Sequence, residues 1–256
     1  MTAARVVWGG LRFHVKTLTL SNFFLLTTFL LPSIFAAIAF FLVEAGGRPG
    51  TLLYTALGAG MMGVWSSTLF GSGGAIQWQR FQGTLELLVA TPSPFLWVLL
   101  PITLASATVG VYSLAMTLVF GRVLFGVPLD LVHPFALVVA IPAMVLGLGL
   151  FGLLLATTFV LYRYANALSN LLEYPIWLIT GLLVPISLLP VWVEPISWVL
   201  APTWGVRAIR ESALGGHPWT SIAMCLALGV AYVVLAAFFL RIFERLARDR
   251  ATLSLS

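Results

Sequence analysis

The chain has 256 residues, 61% of them apolar and 8% charged, with a mean hydropathy of +1.06. Soluble domains carry roughly 25% charged residues, so this composition cannot cover a water-facing surface and excludes an ordinary soluble enzyme or a disordered chain. The net charge of +5 comes from 13 basic and 8 acidic residues, too thinly spread for a nucleic-acid stripe, and the single cysteine, Cys225, excludes internal disulfides and zinc clusters. The composition predicts an all-α integral membrane protein, with one domain over 1–256.

In chain order, residues 5–20 read as a helix lying on the membrane surface. Arg5, Gly9, Arg12, Lys16 and Thr19 share one helical face, and Trp8, Leu11, Val15 and Leu18 form the opposing one. Spans of roughly 20 apolar residues follow from windows free of Asp, Glu, Lys and Arg. They predict helices at 22–43, 54–77, 95–119, 135–161, 167–189 (with Glu173 admitted) and 219–241. Alternating apolarity over short segments, the signature of membrane strands, is absent from these runs.

The segment 79–92 is the longest polar interruption. Phe81, Leu85 and Leu88 share one face, Gln79, Gln82, Glu86 and Ala90 another, and Pro92 and Pro94 stop the period. This predicts a short amphipathic helix parallel to the membrane. Asn166, Asn170 and Glu173 then enter the fifth span as a polar stripe at i, i+4, i+7. Ionisable groups in a membrane mark function unless they are packed against a neighbouring helix. The stripe is expected to line the inner mouth of a path, with Glu173 partly hydrated.

Residues 190–218 are too apolar for a solvated loop. Pro190, Pro195, Pro202 and Pro218 divide them into two short helical pieces, the second carrying Arg207 and Glu211 at pairing distance i, i+4 and ending at Gly215-Gly216. A segment of this kind dips back into the membrane where protein covers it.

Six spans put both termini on one side. With the termini inside, the inner segments hold Arg5, Arg12, Lys16, Arg80, Arg163, Arg241, Arg245, Arg248 and Arg250, and the outer ones only Arg48, Arg122, Arg207 and Arg210. That asymmetry places both termini in the cytoplasm. Catalytic constellations are not visible. Gly71-Ser72-Gly73-Gly74 lacks the lysine of a phosphate loop and reads as close helix packing. Ser72 and His217 fall at opposite membrane faces, and His14, His133 and His217 occupy three separate segments.

The chain resembles the six-span permeases of type-2 ABC exporters, in the branch of drug and antibiotic exporters, over essentially its whole length. One matching motif is Arg80-Phe81-Gln82-Gly83-Thr84-Leu85-Glu86-Leu87-Leu88 with Thr91-Pro92, similar to the family's cytoplasmic coupling segment, although Gln79 stands where that segment usually has an acidic residue. The other is Leu189-Pro190-Val191-Trp192 with Pro195-Ile196, then Pro202-Thr203-Trp204 and Arg207 through Arg210.

The resemblance implies a non-catalytic half-transporter in a bacterial plasma membrane, moving a lipophilic drug, antibiotic or lipid-like substrate outward. It implies a second permease chain, identical or paralogous, and separate cytosolic ABC ATPase subunits that bind ATP and magnesium; this chain itself would hold no cofactor. Arg80, Gly83, Thr84, Glu86, Thr91 and Pro92 would contact the ATPase, and the surface helix at 5–20 would act as a second lever. An outer gate would contain Trp192, Pro202, Trp204, Arg207, Arg210 and Glu211. The rival classes are a secondary transporter or channel, which would need polar groups at the membrane midplane, and a non-transporting membrane scaffold.

Overall fold

The computed structural model describes residues 3–45, 52–81, 83, 94–159 and 165–250. The helices among them are α1 (Ala3–Leu20), α2 (Asn22–Ala45), α3 (Leu52–Phe81), α4 (Leu96–Phe125), α5 (Pro134–Phe159), α6 (Ala165–Ile179), α7 (Val193–Trp198), α8 (Ala201–Leu214) and α9 (Pro218–Arg250), with a 3-10 turn at Ile186–Leu188. Strands do not occur among the described residues, so the all-α expectation holds. Among the described residues, three helices are long and apolar enough to cross a membrane: Leu96–Phe125, Pro134–Phe159 and Pro218–Ile242.

Small residues set the packing. Along the seam between α3 and α4, a Cβ added at Gly60 would press on Leu114, at Gly63 on Ser113, at Gly71 on Ser106, and at Gly110 on Val64. Without those methyl groups the two backbones approach closely enough for Ser67 Oγ to donate to the Ser106 carbonyl at 2.8 Å. Gly71 therefore serves packing, as its sequence context suggested. Aromatic rings tie the other helices in: Trp65 of α3 stacks on Phe151 of α5, which meets Tyr232 of α9, and Phe35 of α2 meets Trp177 of α6 edge-on.

The structure corrects three expectations. The helix in the fifth window stops at Ile179 rather than continuing to 189, so α6 is 15 residues and about 22 Å long, short of the roughly 30 Å hydrocarbon thickness. Gly181 takes a left-handed φ of +78° and Pro185 removes a donor, which together end the helix. Gln79 to Phe81 belong to α3 and the chain turns at Gly83 with φ +67°, while the rest of the amphipathic helix expected over 79–92 lies outside the described residues. On α1, Trp8 does not oppose the cations. It is 61% exposed and lies beside Arg12, whose guanidinium is 5.9 Å from its ring centroid. Gly10 seats α1 against Pro101 of α4, so the half-buried seam runs through Gly10, Leu11, His14 and Leu18 and turns Trp8 outward.

The segment 190–218 forms two helical pieces, as its prolines predict. The second piece, α8, lies between α5 and α9. Its last carbonyls, on Ser212 and Ala213, accept the backbone N–H groups of His133 and Val132, just before α5 begins. Its first residue, Ala201, packs beside Gly147 and donates its backbone N–H to Tyr232 Oη at 3.0 Å. Tyr232 lies 14 residues, about 21 Å, along α9, and Gly147 lies 13 residues, about 20 Å, along α5. Thus α8 runs back alongside two long helices for its whole length.

Candidate functional site

Four elements meet around a cleft of about 460 Å³: the start of α3, the turn after α6, α7, and one face of α8. Its wall is held by Arg210. The guanidinium donates from Nη1 to the Gly181 carbonyl at 2.6 Å and from Nη2 to the Leu182 carbonyl at 3.0 Å, satisfying acceptors freed where α6 breaks. The same cation lies 3.7 Å from the centroid of the Tyr54 ring. Gly58 makes room for this arrangement: a Cβ there would stand 2.6 Å from both Arg210 Nη2 and the Leu182 carbonyl. One side chain thereby clamps α3, α6 and α8 together.

On the next face of α8, Arg207 Nε donates to Glu211 Oε1 at 2.8 Å, the pair expected from the i, i+4 spacing. Glu211 Oε2 also accepts from Ser221 Oγ at 2.6 Å, which fixes the carboxylate against α9. Arg207 is exposed and sits 5.6 Å from the Trp204 ring centroid. Trp204 Nε1 donates to the Trp198 carbonyl at 2.8 Å, closing the α7–α8 corner. Pro202 is buried in the first turn of α8, where its missing N–H costs nothing. Trp192 is exposed at the entrance to α7. Trp204, Arg207, Arg210 and Glu211 thus converge on one cleft, while Pro202 and Trp192 flank it.

Other expected site residues lie elsewhere. Glu173 is buried against α3 and accepts a hydrogen bond from Ser66 Oγ at 2.5 Å, which replaces the expected partly hydrated carboxylate. The reason is the course of α6, which packs Glu173 toward α3 and leaves Asn170 exposed. The side chain of Asn166 lies outside the described residues. In the coupling segment, Arg80 closes α3 and Gly83 occupies the exposed turn; the Arg80 side chain, Thr84, Glu86, Thr91 and Pro92 lie outside the described residues.

A scan of family models finds no match to this chain, and neither does a search of curated proteins.

Sequence reasoning missed Tyr54, Gly58, Ser66, Glu194 and Tyr232. Gly181 followed by Pro185 was a readable breaker, and it signals where a buried cation finds free carbonyls. Nothing local marked Tyr54 or Tyr232, because each gains its role from a partner more than 30 residues away.

Proposed function

We propose that this chain is the membrane-spanning half of an ATP-driven exporter for a lipophilic drug, antibiotic or lipid-like substrate. In this reading α2, α3, α4, α5, α6 with its broken end, and α9 make six passes of a bacterial plasma membrane with both termini cytoplasmic. The α7–α8 hairpin is the outer re-entrant gate, and α1 lies in the inner headgroup layer. A second permease chain completes the path, and ABC ATPase subunits below supply ATP hydrolysis.

One observation carries the proposal. A single continuous helix, α3, has Tyr54 in the cleft near its first residue and Arg80, the start of the coupling pattern, near its last. The two are 26 residues, about 39 Å, apart along the helix axis. A continuous helix of that length gives a push on 80–92 a direct route to the clamp made by Arg210. Ser66 and Glu173 join this helix to α6 part-way along, so both helices move together.

The test is retrieval of the tagged chain from its native membranes in mild detergent. A co-retained subunit that hydrolyses ATP, lost or uncoupled in Glu86→Ala and Gly83→Leu, is the expected result. Retrieval without any ATP-hydrolysing partner, or variants with unaltered partner binding and activity, would overturn the reading.

A further inference from the structure

Among the described residues, two buried donors on side chains that line the cleft have no acceptor: Thr203 Oγ1 and Arg210 Nε. Thr203 is only 4% exposed. A helical threonine ordinarily donates to the carbonyl four residues back, here Val199, but that carbonyl accepts the Tyr232 hydroxyl instead. The two orphans are seven residues apart and share one face of α8. A buried donor without an acceptor is destabilising, so two of them on residues lining one cleft are groups that a bound acceptor would satisfy once they turn toward it.

The rest of the lining specifies the ligand further. Arg207 is exposed beside the orphans and offers guanidinium donors beyond its bond to Glu211. Across the cleft, Glu194 of α7 is exposed, and its carboxylate has no partner among the described residues. Trp198 and Trp204 bring aromatic faces to the same space. Two guanidiniums and two carboxylates make the lining neutral in sum, so an anion alone would leave Glu194 unmatched and a cation alone would leave the donors unmatched. A zwitterion answers both.

We infer that the cleft binds the head group of a zwitterionic bilayer phospholipid. The phosphate settles toward Arg207, Thr203 and Arg210, and the ammonium toward Glu194 and the tryptophan faces. About 460 Å³ accommodates a head group, and exposed Leu183 and Leu188, next to the lining turn at 185–187, supply an apolar rim for the chains. This inference needs no ATPase and no transport, so it stands or falls separately from the exporter reading.

The experiment adds dioleoyl phosphatidylethanolamine or dioleoyl phosphatidylglycerol to the delipidated, detergent-purified chain and reads bound lipid by native mass spectrometry. The wild type should retain one phosphatidylethanolamine in preference to phosphatidylglycerol. Thr203→Val should lower retention about tenfold while Thr203→Ser keeps it, and Glu194→Gln should abolish the preference between the two lipids. Thermal melting of each variant in detergent separates loss of binding from loss of fold. Equal retention of the two lipids by the wild type would overturn the inference. So would unchanged retention in Thr203→Val and Glu194→Gln, or equal occupancy by soluble phosphoethanolamine, which would point to a small solute in place of a lipid.

Discussion

The guanidinium of Arg210 lies 3.7 Å from the ring centroid of Tyr54, and the same group holds two backbone carbonyls of the turn that ends α6. Three helices therefore depend on one cation. Charge-assisted hydrogen bonds contribute about 1.5–3 kcal/mol each, so Arg210→Ala should destabilise the protein by about 3–5 kcal/mol, with Arg210→Lys recovering only part. Thermal unfolding in detergent measures it. An Arg210→Ala protein as stable as wild type would show that the clamp holds nothing.

Gly58→Val tests the same clamp from the other side. Its side chain would occupy the space of Arg210 Nη2 and the Leu182 carbonyl. Overpacking costs about 1–3 kcal/mol, and the expected effect appears as a lowered melting temperature together with faster exchange of the amides at 181–183.

Tyr232 bridges the gap where α7 hands over to α8, donating to the Val199 carbonyl and accepting from the Ala201 N–H. Tyr232→Phe leaves the buried Ala201 N–H without its acceptor and frees the Val199 carbonyl, at a cost of about 1–3 kcal/mol. In that variant Val199 becomes available to Thr203, so Thr203→Val should cost more in the Tyr232→Phe background than in the wild type. A double-mutant cycle gives the sign.

Glu173 and Ser66 make an asymmetric pair of predictions. Glu173→Gln keeps an oxygen to accept from Ser66 Oγ and should change stability by less than about 1 kcal/mol. Ser66→Ala removes the donor and leaves the buried carboxylate without that hydrogen bond, and should cost about 1–3 kcal/mol. The reverse order of melting temperatures would refute this account of the α3–α6 contact.

Burial against α4 pushes the His14 imidazole below its ordinary value of 6.5. Docked α1 disfavours the protonated ring, whereas an undocked α1 binds a proton near 6.5. Docking of α1 is therefore undiminished above that pH and weakens as pH falls through it. A spin label at Phe13, which is exposed beside His14, should gain mobility between pH 7 and pH 5, and His14→Leu should remove the dependence.

Much of this architecture was legible from residue order. The limits of α1 and α5, the starts of α4 and α9 and the Arg207–Glu211 pair follow from apolar runs, prolines and the i, i+4 rule, all of which act within a few turns, whereas α4 and α9 run six and nine residues beyond the expected ends. The failures came from tertiary contacts. Trp8 faces outward because Gly10 lets α4 choose the seam, and Glu173 faces inward because α3 offers Ser66. The clamp was half legible: Arg210 stood out as a cation in an apolar segment, but its partners Tyr54 and Gly181 are distant in sequence.

The placement of α8 dictates an order of assembly. Its first turn is held by Tyr232, and its flank by Cys225, whose thiol lies 3.8 Å from the Ala201 carbonyl. Both residues belong to α9, so while the chain is being made the slot for α8 does not exist until residue 232 has been synthesised and seated. The hairpin must wait outside that slot, and the last helix is the one that admits it. A nascent chain halted near residue 225 should leave a cysteine placed at Thr203 open to a water-soluble thiol reagent, and a chain extended through α9 should close it.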